Sequence, residues 1–253
     1  MPPVPRVLIT GASGGIGEAT AKAFAARGAS LWITYARNQE KTDRVAEACL
    51  ASGASEVNVS PLDLRRPESI ESLIEAVATK WGSLDTLINN GSVCVYVRME
   101  DISLDLWDET LETNARGTFL ISRGALGLLR VSVSSGRDAS IVNVSSIAGQ
   151  IGGVTTSFAY AASKGAILAL TRSFARQVAA EGIRVNAVAP GPIDTPITEQ
   201  LADNERIRLA ANVPLGRFGT AEEVAEMCVF LGSPSSGFTT GATFDVNGGL
   251  LMA

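Results

Sequence analysis

Several short runs in this chain are apolar at successive positions, as in Val7-Leu8-Ile9 and Leu31-Trp32-Ile33. A strand with one wet face alternates apolar and polar residues. A strand without that alternation is buried on both faces, which requires a parallel sheet with helices on either side. Strand candidates are Arg6–Thr10, Ser30–Tyr35, Glu56–Ser60, Thr86–Asn89, Ser140–Ser145, Arg184–Ala189 and Thr243–Val246. Helix-period segments separate them: Gly15–Arg27, Gln39–Ser52, Pro67–Trp81, Leu104–Leu129, Phe158–Glu181 and Ala221–Leu231. This alternation predicts an α/β chain, doubly wound around a central, mostly parallel seven-stranded sheet. No repeat or linker divides residues 1–253, so one domain is expected. The Gly/Pro-rich stretch from Pro190 and the polar segment to Gly219 are expected to form a substrate lid.

What chemistry such a chain can carry is narrowed by a missing residue type. Among its 253 residues there is no histidine. Ser-His-Asp and Cys-His hydrolases are excluded, as is every zinc site built on imidazole. A general acid or base must then be Tyr, Lys, Asp, Glu or Cys. Cys49, Cys94 and Cys228 are odd in number and widely spaced, which points to a reducing compartment without disulfides. The net charge is −5 and no Lys/Arg cluster occurs, so neither nucleic acid nor an anionic membrane is the expected partner. The N-terminus lacks the layout of a signal peptide, and no apolar stretch reaches the roughly 18 residues of a membrane span. A cytoplasmic location is expected.

The first strand candidate ends in Thr10-Gly11-Ala12-Ser13-Gly14-Gly15-Ile16-Gly17, and a helix candidate follows at once. Glycines there permit a tight turn and close approach of backbone to a pyrophosphate, while the helix N-terminus offers free N–H groups to the phosphates. A triphosphate P-loop is excluded, because no Gly-Lys-Ser/Thr follows.

The spacing Gly11-x3-Gly15-x-Gly17 resembles the TGxxxGxG fingerprint of the short-chain dehydrogenase/reductase family, and the resemblance runs along nearly the whole chain. Asp63-Leu64 resembles the family's adenine-contacting pair. Leu84 to Ser92 (LDTLINNGS) is similar to its LDxLVNNAG segment, with Gly91-Ser92 in place of Ala-Gly. Glu112-Thr113-Asn114, the strand Ile141 to Gly149 (IVNVSSIAG), Tyr160-x3-Lys164, Pro190-Gly191 and Gly241 to Gly249 match further family motifs in order. The resemblance implies a single doubly wound Rossmann fold and hydride transfer between a nicotinamide cofactor and a ketone or alcohol. It implies no metal. It implies a cofactor site built from Gly11, Ser13, Gly15, Ile16, Gly17, Tyr35, Arg37, Asn38, Asp63, Leu64, Asn90, Gly91, Tyr160, Lys164, Pro190, Gly191, Ile193 and Thr195.

Tyr160 and Lys164 are four apart on a predicted helix and share a face. A free tyrosine, with a pKa near 10, is a poor base at neutral pH, and a nearby lysine cation favours the phenolate. Tyr160 is then the expected acid toward a carbonyl oxygen, or base toward an alcohol. Ser145 and Ser146 are adjacent on a strand, so only one of them faces the site. The family pattern SxxG points to Ser146. Its separation from Tyr160 is 14, one more than is usual in the family, which places an inserted residue within Gly152–Ser157. Asn114 resembles the family's fourth catalytic member, which helps to hold a proton-relaying water. The resemblance also has Lys164 bonded to the nicotinamide ribose.

NAD-specific relatives carry Asp or Glu about 20 residues past the glycine turn, where it accepts from the ribose 2′-OH. Here that position is Tyr35, and Arg37 two residues on offers a planar fork for a 2′-phosphate. NADP(H) is the expected cofactor and NAD(H) the alternative. The glycine-turn arginine of many NADP-dependent relatives is replaced by Gly14. The nearest pattern is that of 3-oxoacyl-acyl-carrier-protein reductases. Of two arginines that carrier-using relatives place before strands, one survives as Arg137 and the other is replaced by Glu181. A free small-molecule ketone or alcohol is therefore the expected substrate, with the carrier-bound 3-oxoacyl group as the alternative. A cofactor sensor without chemistry is a further alternative, disfavoured by the complete Asn114, Ser146, Tyr160, Lys164 set. A homotetramer is expected, from long helices richer in small and apolar residues than one core face needs.

Overall fold

The structure is a computed structural model that describes residues 4–153 and 156–252. The chain runs β1 (Arg6–Ile9), α1 (Gly15–Ala25), β2 (Ser30–Tyr35), α2 (Gln39–Ala51), β3 (Glu56–Pro61), α3 (Pro67–Trp81), β4 (Thr86–Asn89), α4 (Leu104–Leu111) and α5 (Gly117–Ser134). It continues through β5 (Ala139–Val144), α6 (Ala148–Ile151), α7 (Phe158–Val178), β6 (Ile183–Pro190), α8 (Asp203–Asn212), α9 (Ala221–Leu231) and β7 (Thr243–Val246). The seven strands form one sheet in the order β3-β2-β1-β4-β5-β6-β7. Every pairing among them is parallel. This is the α/β Rossmann architecture that the uniformly apolar runs predict.

Successive strand side chains point to opposite faces, and both faces are filled. On one, Val7, Ile9 and Ile33 pack with Phe24, Val45 and Val224, from α1, α2 and α9. On the other, Leu8, Trp32, Leu87 and Ile141 pack with Leu73, Ile121 and Leu129, from α3 and α5. Each such side chain contributes roughly 1.5–3 kcal/mol on burial. The central strands β4, β5 and β6 are buried throughout, whereas the edge strands β3 and β7 are mostly half-buried. Local signals fix the helix ends. Pro67 opens α3, and Gly82 closes it in the left-handed conformation at φ 69°. Thr220 and Glu223 form a reciprocal capping box on α9.

Three segments depart from the sequence expectation. The single helix expected over Leu104–Leu129 is interrupted by a π-turn over Glu112–Arg116 and runs on to Ser134. The wider turn carries Asn114 inward to complete burial. Directly after it, Gly117 lies so close to Leu64 that an added Cβ would meet the Leu64 Cβ at 2.7 Å. The helix α8 was not expected within 190–219. Its sequence, DNERIRLAAN, is polar and none of its residues is buried, so it lacks the apolar stripe by which a helix is read. Finally, α7 stops at Val178, and a 3₁₀ turn carries the chain through Glu181 to Gly182.

The strand order reverses at β1, which lies between β2 and β4. Crossovers leave in opposite directions there and part the loops above the strand ends, which opens a crevice.

Candidate active site

A cavity of about 700 Å³ opens at that crevice. It is lined by Gly11, Ser13, Gly15, Ile16, Tyr35, Arg37, Asn38, Asp63, Leu64, Asn90 and Gly91 from the loops after β1 to β4. Ser146, Tyr160, Lys164, Pro190, Gly191, Ile193 and Thr195 line its other end. These are all eighteen of the expected cofactor and catalytic positions other than Gly17 and Asn114. Gly17 and Asn114 lie behind the wall instead.

Packing requires a glycine at position 17. A Cβ there would meet the carbonyl oxygen of Gly11 at 2.3 Å and the Asn90 Nδ2 at 2.5 Å. Gly11 (φ 67°) and Gly15 (φ 54°) adopt the left-handed conformation that glycine tolerates. The Asn90 amide ties the turn to the end of β4, donating to the carbonyls of Thr10 at 3.1 Å and Gly11 at 2.8 Å. The Thr10 hydroxyl accepts from the Asn90 and Gly91 backbone N–H groups at 3.0 and 2.8 Å. Gly91 itself fits tightly, since a Cβ would lie 3.0 Å from the Leu64 Cδ1 and 3.2 Å from the Thr10 Oγ1.

The groups for proton chemistry meet where β5 faces α7. Lys164 is 2% exposed, and its Nζ donates to the Val144 carbonyl at 2.8 Å. The Nζ lies 5.5 Å from the centre of the Tyr160 ring. Ser157 caps the helix, its hydroxyl accepting from the Tyr160 backbone N–H. Close approach of the post-β5 turn to α7 requires Gly149, where a Cβ would strike the Lys164 carbonyl carbon at 2.5 Å. The two serines separate as their adjacency predicts. Ser145 is buried and donates to the Lys164 carbonyl at 2.8 Å, whereas the Ser146 hydroxyl accepts from the Ala148 N–H at 3.1 Å and sits beside the Tyr160 phenol. Within the expected insertion, Val154 and Thr155 lie outside the described residues.

Asn114 reaches the site indirectly. Its Oδ1 accepts from the Val93 N–H at 2.8 Å, and its Nδ2 donates to the Val93 carbonyl at 2.9 Å and the Ser163 hydroxyl at 3.0 Å. Both Nδ2 hydrogens and one lone pair of Oδ1 are thereby engaged with protein.

Burial governs the ionisation of the pair. It pushes the Tyr160 phenol well above the ordinary tyrosine range, with the neighbouring Cys94 adding to the rise and the Ser146 hydroxyl opposing it. It pulls Lys164 down to about 8, against the opposing influence of Cys94. Cys94 is itself pushed up to about 11 by burial and stays a thiol at neutral pH. Cys94 and Tyr96, which line the cavity beyond Gly91, were not among the predicted site residues. Their position directly after the β4 motif is the signal that could have found them.

At the opposite end, the carboxylate of Asp63 is held by Arg65, which donates from Nε at 3.2 Å, from its second guanidinium nitrogen at 3.1 Å and from its backbone at 3.0 Å. Arg37 is largely exposed and lies 3.8 Å from Glu109. The Asn38 side chain accepts from the Lys41 N–H at 2.9 Å and so caps α2, which engages its oxygen.

The cradle fits a dinucleotide. Gly14, Gly15 and Ile16 line the cavity, and no side chain caps α1, which leaves its N-terminus for an anion. Among the described residues no group of three or more His, Cys, Asp or Glu is placed to hold a metal ion, and no helix is long and apolar enough to cross a membrane.

Comparison with known proteins agrees with this geometry. The family described as Enoyl-(Acyl carrier protein) reductase matches residues 11–251. The chain is 37% identical over 250 residues to the 3-oxoacyl-[acyl-carrier-protein] reductase of Thermotoga maritima, covering 97% of each chain. It is 36% identical over 248 residues to the Escherichia coli protein of the same name, covering 97% of this chain and 96% of the other. The crystal structure of a short-chain type dehydrogenase/reductase from Mycobacterium marinum superposes with a TM-score of 0.91 at 29% identity, covering 98% of this chain and 96% of that one.

Proposed function

The chain belongs to the short-chain dehydrogenase/reductase family, whose oxidoreductase activity on CH–OH and C=O groups it shares, and from that premise we propose an NADP(H)-dependent reductase of free ketones. The observation that carries the reading is the convergence of Ser146, Tyr160 and Lys164 on one cavity with an uncapped helix N-terminus at its far side. When bound, the cofactor supplies the hydride. Gly11, Ser13, Gly15 and Ile16 would hold its pyrophosphate, and Tyr35, Arg37 and Asn38 its adenosine ribose. Asp63 and Leu64 would flank the adenine. Asn90, Gly91, Pro190, Gly191, Ile193 and Thr195 would frame the nicotinamide end, with Lys164 toward the ribose.

The protein's own chemistry is the handling of one proton. The Ser146 hydroxyl holds the substrate oxygen, and the Tyr160 phenol donates its proton to that oxygen as negative charge develops there. Lys164, a cation below a pH of about 8, favours the resulting phenolate. In the reverse direction the same phenolate takes the proton from an alcohol. Asn114 positions the Val93 backbone on the cavity wall and does not touch the reacting atoms.

The carrier-bound 3-oxoacyl substrate is the second reading, favoured by the relatives of that name. Charge placement supports the free ketone ahead of it. Arg137, 16% exposed, is committed to Asp85 and to the Val4 carbonyl at the start of β5. Glu181 pairs with Arg130 at 2.6 Å, which neutralises rather than adds positive charge there. An acidic carrier needs basic docking groups, and these two positions offer no free one.

A homotetramer and a cytoplasmic location complete the proposal. Support for the first comes from exposed apolar side chains on α4 and α7 (Leu104, Trp107, Phe158) and from the fully exposed Phe238 before β7. Support for the second comes from Cys49, Cys94 and Cys228, all of them free thiols. The test is a panel of free ketones and acetoacetyl-carrier protein, each assayed with NADPH and NADH. Oxidation of NADPH by free ketones is expected. Efficient, salt-sensitive turnover of the carrier substrate alone would favour the second reading.

A further inference from the structure

The adenosine end of the cavity carries an acidic residue that the reading above does not use. Glu109 lies on α4, lines the cavity and is 37% exposed. One of its oxygens, Oε1, faces two arginines from different loops, Arg37 after β2 at 3.8 Å and Arg65 after β3 at 3.5 Å. Arg65 is already held by Asp63, but Arg37 makes no other ion pair among the described residues. Lys41, which lines the same end, makes none. Asp105 and Asp108 share the helix with Glu109, yet of the three only Glu109 lines the cavity.

We propose that Glu109 is a specificity-determining residue, an internal counter-ion that competes with the cofactor's 2′-phosphate for Arg37 and Arg65. The inference rests on the proposed preference for NADP(H). An arginine fork has a fixed geometry, and a carboxylate and a phosphate cannot both occupy its donor face. At 3.8 Å and largely exposed, the Arg37–Glu109 contact is weak enough for a dianion to displace. Displacement leaves Glu109 beside the phosphate, where like charge opposes binding. A cofactor with a bare 2′-OH does not contest the arginines and is indifferent to Glu109. Glu109 therefore lowers affinity for NADP(H) selectively and narrows the preference that Arg37 creates.

Calorimetric titration of NADPH and NADH tests this in wild type, Glu109→Gln, Arg37→Ala and the double variant at low ionic strength. The expected result is that Glu109→Gln tightens NADPH by about twofold to fivefold, the range that an exposed ion pair supplies. NADH affinity should stay unchanged, which also reports an intact fold. The gain should shrink in the Arg37→Ala background and with added salt. If wild type prefers NADPH through Arg37 but Glu109→Gln leaves its affinity unchanged or weaker, the inference fails and the cofactor reading stands. An undiminished gain in the Arg37→Ala background would overturn the competition as well. If wild type shows no preference for NADPH, the cofactor reading fails and takes this inference with it.

Discussion

Asn114 and Val93 are joined by two hydrogen bonds in opposite directions, side-chain amide to backbone amide, at 2.8 and 2.9 Å. A π-turn delivers Asn114 to this place, and the chain it grips leads to Cys94 on the cavity wall.

Asn114→Ala should therefore loosen the segment after β4. The half-buried Val93 N–H and carbonyl each lose a partner, at a cost of about 0.5–1.5 kcal/mol per hydrogen bond. The expected result is faster hydrogen exchange across 92–96, with a drop in kcat larger than the rise in cofactor Kd. Unchanged exchange in that segment would contradict the positioning role.

The shift of Lys164 gives a pH profile with a definite sign. Its amine is charged below about 8 in the folded protein, against 10.5 for a free lysine. The Tyr160 phenol, pushed up by burial, keeps its proton throughout that window. Reduction should hold up to pH 8 and fall above it as Lys164 loses its charge. Between about 8 and 10.5 the unfolded chain binds more protons, so this lysine's contribution to stability rises with pH, by about 3 kcal/mol over the window. Lys164→Met should flatten that rise in the pH dependence of chemical denaturation. A wild-type curve that is flat over the same range would contradict the assignment.

Gly17→Ala is expected to damage cofactor binding without removing any contact to the cofactor. The added methyl meets the Gly11 carbonyl oxygen and the Asn90 amide, so the glycine turn must shift. Overpacking of this kind typically costs about 1–3 kcal/mol. The thermal midpoint should fall and NADPH affinity should fall with it, whereas Gly14→Ala, where a Cβ meets nothing within 4 Å, should spare the fold. Equal thermal midpoints for the two variants would sink this account of the turn.

The parallel sheet was legible because Val7, Leu8 and Ile9 are apolar in succession, and the structure buries all three. The residues around the cavity were legible as ordered motifs, since chemistry constrains residue type at each of them. Long-range partners were not. Nothing local in Asn90 says that its amide turns back to the carbonyl of Gly11, and nothing local in Glu109 says that it meets arginines from two other loops. The π-turn escaped because its sequence keeps a helical pattern, and the widened turn shows only in the backbone over Glu112–Arg116. The helix α8 escaped because it buries no residue.

The central claim is that the Tyr160 hydroxyl supplies the proton, and Tyr160→Phe tests it most directly. The measurement pairs kcat/KM for ketone reduction with the Kd for NADPH. General acid catalysis contributes about 10²- to 10⁴-fold. The account predicts a fall in kcat/KM within that range while NADPH affinity stays within about twofold, because the ring still packs and Lys164 remains bonded to the Val144 carbonyl. Activity retained within a few-fold of wild type would contradict it.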